Sequence, residues 1–333
     1  EEQIGKRYLK GGKARVDDFI NNEKDPNKQQ ENIRLKPRNL REAFRAANKK
    51  PLFNQVILNN RLDFFAFGYP DGYMTFGNFR RKGGQEDGEV EWVVCDESQA
   101  RFHIKRLPPA HLQNAYYMKG SERFPGNTHL YTAGSDPFKF NEVKYKGSNG
   151  AGQVYEFFNP NIDTPNIDPK DYVTDNFCVE YLARPTVEEY CEDMLMMCEF
   201  YGCKMFSENN IDVVNKHFIK RKRRRYLKYQ ITVKKHQSEF IAKEEATAGG
   251  FTSDQYLETL YRYGNHFVDK NADRCPFYRT LSDFANMSIE DRTEFDLGMS
   301  GLYTLTGGFD TAPKTPEKET KKSYEMGIQR ASY

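Results

Sequence analysis

Residues 186–208 read TVEEYCEDMLMMCEFYGCKMFSE, and the fold class turns on this stretch. Thr186 can cap a helix, and Glu189, three residues on, can complete a capping box. Val187, Tyr190, Cys191, Met194, Met197, Cys198 and Tyr201 recur at helical spacing along one face, and Gly202 stops the helix. Cys203-Lys204-Met205-Phe206-Ser207 then reads as a strand running into Glu208. Upstream, His129-Leu130-Tyr131-Thr132-Ala133 is a short apolar strand ending in Gly134-Ser135-Asp136-Pro137. Gly152 to Phe158 and Phe177 to Ala183 follow as further strands. Three strands, a helix, a strand and then more helices describe an α/β domain with a mixed central sheet flanked by helices.

Working back toward the N-terminus, residues 108–127 carry Pro108-Pro109 and Pro125-Gly126, a linker with turn chemistry. Between Phe64 and Leu107 the pattern is short strands with glycine turns, as in Tyr73-Met74-Thr75-Phe76 and Val90-Glu91-Trp92-Val93-Val94. A helical pattern covers Pro37 to Asp63, and residues 1–35 are charged and amide-rich. The expected division is therefore a smaller helix-plus-strand region over 1–127, the α/β domain over 128–310, and a flexible tail over 311–333. The chain opens Glu1-Glu2-Gln3 without an initiator Met, as a piece cut from something longer would.

Composition narrows the function classes. Fifty Lys and Arg against 48 Asp and Glu leave a net charge of +2, which excludes a uniformly basic nucleic-acid coat. Aromatics at 14% supply enough area for a core, so wholesale disorder is excluded despite a mean hydropathy of −0.85. No apolar run is long enough to span a bilayer. Cys95, Cys178, Cys191, Cys198, Cys203 and Cys275 form no C-x-x-C pair and read as buried, reduced thiols. The six histidines are scattered singly, which argues against zinc hydrolase chemistry.

Three acids stand where chemistry is usually placed. Asp136 and Glu208 each follow a strand, and the carboxyl ends of strands are where ligands bind in open α/β sheets. Asp296 lies in Thr293-Glu294-Phe295-Asp296-Leu297-Gly298-Met299-Ser300-Gly301, where small residues would let a late helix pack closely on the sheet. Each acid alone also suits a structural role. Asp136 before a proline can begin a turn, Glu208 can be a loop acid, and Asp296 can favour a helix dipole. Asp291 is an alternative third acid if that helix starts earlier, while Glu180 and Asp212 are spare acids without an assigned role. Lys220-Arg221-Lys222-Arg223-Arg224-Arg225 continues to Lys228, Lys234 and Lys235 with no acid between Asp212 and Glu239. Such a run is either a solvated helix face or a surface that contacts DNA phosphates.

The order of these features resembles the nuclease domain of the large terminase subunit of tailed bacteriophages, an RNase H-like fold. In that family the first strand ends in Gly-x-Asp, matched by Gly134-Ser135-Asp136. The fourth ends in an acid often followed by Asn, matched by Phe206-Ser207-Glu208-Asn209-Asn210. The third acid opens a late helix, as in Arg292-Thr293-Glu294-Phe295-Asp296-Leu297-Gly298-Met299-Ser300, and Arg274 to Phe284 resembles the segment before it. Pro37-Arg38-Asn39-Leu40-Arg41-Glu42-Ala43-Phe44 resembles the step at which the terminase motor domain ends. The likeness covers about residues 30–310, and the phosphate-binding G-x-x-x-x-G-K-[ST] loop of the family's ATPase is missing, so no ATP hydrolysis is expected.

The resemblance implies a metal-dependent endonuclease that cuts concatemeric viral DNA during genome packaging. It implies two Mg²⁺ or Mn²⁺ ions, with Asp136 bridging both and Glu208 and Asp296 each completing one side. Double-stranded DNA would be the substrate. An ATPase domain, the portal and the small terminase would be partners of the complete subunit, in the host cytoplasm and with no membrane. The piece itself would be a monomer. Two other readings stand beside this one: a resolvase- or transposase-type nuclease on the same fold, and a non-enzymatic phage protein whose acids coincide by chance.

Overall fold

A computed structural model describes residues 51–139, 149–164, 166–229, 248–250, 254–288 and 294–308, with isolated positions at 22–24, 28 and 32. The Glu42-Ala43-Phe44 step, Asp291, Lys234, Lys235 and the tail over 311–333 lie outside the described residues. In chain order the elements are α1 (Gln55–Phe64), β1 (Thr75–Arg81), β2 (Val90–Val94), β3 (Phe102–Ile104), β4 (Tyr116–Lys119) and β5 (Glu122–Pro125). Then come β6 (Tyr131–Asp136), β7 (Gly150–Glu156), β8 (Asn176–Ala183), α2 (Val187–Tyr201), β9 (Lys204–Ser207) and α3 (Val213–Lys220). The chain continues into α4 (Asp254–Asn271), α5 (Tyr278–Asn286) and α6 (Asp296–Gly307).

Seven strands form one mixed sheet in the order β2-β1-β3-β8-β7-β6-β9, in which only β6 and β9 run parallel. β6 and β7 are buried along almost their whole length, because helices cover both faces. On one face α2 lays Tyr190, Met194, Leu195 and Cys198 against Val154, Val179 and Tyr181. On the other, α6 presents Met299, Leu302 and Tyr303 to Tyr155, Phe177 and Phe206, with α4 and α5 packed behind it.

The sequence pattern of α2 acts as its spacing predicts. Thr186 and Glu189 form the reciprocal capping box, and Gly202 at φ 63° ends the helix in the left-handed conformation that glycine takes without strain. All six cysteines are free thiols, five of them buried and Cys95 half-buried. No helix among the described residues is long and apolar enough to cross a membrane.

The expected division at residue 127 does not separate two sheets. β1, β2 and β3 extend the same sheet through Phe102↔Tyr181, His103↔Glu180 and Ile104↔Val179. The physical reason is aromatic burial along the outer edge of β8. Phe102 meets Tyr181 edge-on at 4.7 Å, Phe79 meets Phe200 of α2 at 4.9 Å, and Trp92 lies tilted against Phe79 at 5.1 Å. α1 joins the opposite layer, with Phe53 against Phe284 at 5.2 Å. The stretch expected as a linker contains a two-stranded hairpin, β4–β5, turning at Gly120, whose φ of 63° suits a tight turn.

Candidate active site

Asp136 ends β6, three residues beyond Ala133, where the apolar pattern of the strand stops. β9 pairs with β6 in parallel through Gly134↔Phe206 and Ser135↔Ser207, so the next residues in register are Asp136 and Glu208. Parallel neighbours lie about 4.8 Å apart, which brings two acids distant in sequence side by side. The Glu208 backbone N–H donates to the Ser135 carbonyl at 3.0 Å and keeps this pairing past the end of β9.

The third acid arrives from the opposite face. Asp296 is the first residue of α6, and its Oδ2 accepts the backbone N–H of Asn149 at 2.8 Å, just before β7 begins. Close approach of α6 is what puts it there. A Cβ on Gly134 would lie 2.3 Å from the Thr304 backbone nitrogen, and the Ser300 hydroxyl donates to the Gly134 carbonyl at 3.3 Å. Gly134→Ala is therefore expected to push α6 off the sheet and cost more than the ~1–3 kcal/mol of ordinary overpacking. A urea melt checks this, and an unchanged midpoint would show that α6 does not need the contact.

The electrostatics of the cluster follow from its packing. Burial raises the Asp136 carboxyl well above the usual range, and the charges of Glu208 and Asp296 and a hydrogen bond with Glu208 push it the same way. Burial also raises Asp296, against the Asn149 N–H and the positive charge of Arg184, which lower it. The three sequence-predicted acids thus share one field. Among the described residues, no group of three or more His, Cys, Asp or Glu side chains is already arranged around a cation position. Asp136 and Glu208 instead lie side by side, and the neighbouring acid adds to the effect of burial on Asp136. By donor type they fit a hard divalent ion, since Mg²⁺ and Mn²⁺ take carboxylate oxygens.

A fourth acid was missed in the sequence. Asp283, on α5, accepts the Gly298 backbone N–H at 3.0 Å and so anchors the first turn of α6 behind Asp296. Burial pushes its carboxyl up to about 7, opposed by the Gly298 N–H and reinforced by Glu180 and Asp296. The sequence carries no signal for it, because Asp283 lies off the apolar face of α5 made by Thr280, Leu281, Phe284 and Ala285. Glu180 serves the fold, accepting from Arg279 at 2.6 Å and from the Thr280 N–H at 3.0 Å. Asp212 pairs with Lys216 at 3.0 Å across one helical turn.

The basic run divides under the geometry. Arg223 donates to the buried Glu199 at 2.6 Å and pairs with Asp87 at 3.0 Å. Arg221 pairs with Glu86 and, at 3.4 Å, with Glu192. These two guanidinium groups are mostly enclosed and committed to acids. Lys220 reaches Glu188 at 3.4 Å and Arg225 reaches Glu122 at 2.6 Å in exposed pairs, which hold little energy and exchange easily. Arg224 donates to the Tyr229 hydroxyl at 3.0 Å and is exposed, as is Lys222, which sits at φ 55°. Of the six basic residues expected at a DNA surface, Lys220, Lys222, Arg224 and Arg225 are exposed, whereas Arg221 and Arg223 are held by acids.

No protein-family model matches the chain, and no curated protein does. The functional reading rests on the residues and their geometry.

Proposed function

We propose that this chain is a metal-dependent DNA endonuclease of RNase H-like type, the nuclease part of a phage large terminase. The observation that carries the reading is the meeting of Asp136 and Glu208 at the ends of two adjacent parallel strands, with Asp296 entering their field from α6. The strand order β8-β7-β6-β9 supports the RNase H-like assignment. In it the first three strands of this group form an antiparallel meander and the fourth returns beside the first. Terminase membership rests on the short motifs that end those strands and open α6.

Asp136, Glu208 and Asp296 would hold two Mg²⁺ or Mn²⁺ ions. When bound, such ions lower the pKa of a water and neutralise charge on a phosphodiester. The chain's own contribution is positional. Register places Asp136 beside Glu208, and the Asn149 N–H fixes one oxygen of Asp296. Asp283 holds the helix that carries Asp296. A divalent cation held by these carboxylates would offset the repulsion that raises Asp136, so folding and cation binding would support each other.

Supercoiled plasmid incubated with the protein and Mn²⁺ or Mg²⁺ is expected to be nicked and linearised, and EDTA is expected to stop it. Intact plasmid under every metal condition would refute the nuclease reading. A linear duplex cut as readily as a branched junction separates the terminase type from the resolvase type.

Duplex binding has its own expectation. Replacing Lys222 and Arg224 together by Ala should lower the slope of log K against log salt by about 1.8, at about 0.9 per lost phosphate contact. Fluorescence anisotropy across a salt series measures this. An unchanged slope would place the DNA path away from this run.

A further inference from the structure

We propose that Arg184 is a phosphate-binding residue of the carboxylate site, its guanidinium contacting a non-bridging oxygen of the scissile phosphodiester. This rests on the nuclease reading and adds to it a residue that binds substrate rather than metal.

The placement comes from the sheet. Asp136 is paired with Ala151 on β7, and Gly150 is paired with Ala183, the last residue of β8. Arg184 is the next residue, so it leaves β8 at the same pole as Asp136 and beside Asn149. Asn149 is the residue whose N–H holds Asp296 at 2.8 Å.

A rigid platform supports the cation there. The Arg184 guanidinium carbon lies 4.8 Å from the centre of the Phe138 ring, two residues past Asp136. Phe138 is buried and packs against Tyr190 at 5.5 Å, and the Tyr190 hydroxyl donates to the carbonyls of Ala151 and Asp136 at 2.7 and 3.2 Å. The arginine therefore stacks on a ring that the same strand ends hold in place.

The chemistry needs such a group. Carboxylates repel a phosphodiester, and cations held by them would neutralise only part of its charge. The phosphodiester's non-bridging oxygens gain charge as water attacks and require a donor fixed in advance. A planar guanidinium offers two parallel N–H groups matched to phosphate, and stacking on an aromatic ring reduces the ordering it must undergo. Lysine offers a point charge without that fork.

The test compares Arg184→Ala and Arg184→Lys with the unaltered chain in plasmid nicking across an Mn²⁺ titration, with thermal melts alongside. Removing one preorganised donor is expected to lower the rate at saturating Mn²⁺ by about 100-fold. The Mn²⁺ midpoint should stay or move lower, because a nearby positive charge has gone. Arg184→Lys should recover part of the rate. Wild-type nicking by Arg184→Ala, or a loss cured by more Mn²⁺, would overturn the proposal and leave the nuclease reading standing. If Arg184→Ala fails to fold, Arg184→Gln replaces it under the same criteria. An unaltered chain that never nicks defeats the nuclease reading itself, and this proposal with it.

Discussion

Asp136→Asn is expected to lower plasmid nicking by more than about 100-fold while leaving the protein folded. Loss of groups that merely support a metal ligand costs about 10–100-fold, and loss of a bridging ligand should exceed that. Glu208→Gln and Asp296→Asn should behave in the same way. The melting temperature supplies a second readout with a definite sign. Asp136 is raised by burial and by two neighbouring acids, so a neutral amide of the same shape removes repulsion. Asp136→Asn should therefore melt at the same temperature as the parent or higher. Near-wild-type nicking by this variant would remove Asp136 from the chemistry. Full activity in Asp296→Asn together with a dead Asp291→Asn would move the third ligand to Asp291.

The largest effect on stability is expected at Glu199, far from those acids in role. Its side chain is 0% exposed and sits among three guanidinium groups, those of Arg81, Arg123 and Arg223. Arg123 stands at 3.4 Å and Arg223 at 2.6 Å, and none of the three is more than 13% exposed. Glu199→Ala would leave enclosed positive charges facing one another. Breaking a buried pair from one side costs about 3–5 kcal/mol, and several arginines share this one carboxylate. Arg223→Ala should cost less, because Arg81 and Arg123 still neutralise Glu199. Chemical denaturation of the three proteins measures both effects, and a Glu199→Ala loss below about 1 kcal/mol would mean that water reaches the cluster. A DNA-binding defect in Arg223→Ala has to be read beside its melt, since this arginine holds the fold.

Local signals were legible where the physics is local. The Thr186–Glu189 box, the apolar face of α2 and Gly202 together specify one helix, and the structure has it over Val187–Tyr201. The glycines and serine of α6 were readable as a close-packing face, and Gly134 opposite them completes that fit. Sheet order was not readable, because the pairing of β3 with β8 leaves no mark in either strand alone. The same holds for Asp136 beside Glu208, which depends on the register of strands separated by α2. The partners of the arginine run were hidden for a related reason. Its acids, Glu86, Asp87, Glu122, Glu192 and Glu199, lie in other segments of the chain. The hairpin β4–β5 carried a readable Gly120 turn between aromatic residues, overshadowed by the prolines that bracket it.

The fit of α6 into the groove at Gly134 also sets an order in time. Ser300 and Gly134 meet across 166 residues of chain, and Asp296 meets Asn149 across 147. A polypeptide emerging from the ribosome has β6 and β9 early, but the helix that closes over them is made well after both. Until then Phe157 and Phe206 lack the cover of α6, a surface that invites association with other nascent chains. The acidic cluster is therefore assembled only once α6 has emerged, and a chain interrupted before that point has two of its three members and an open aromatic face.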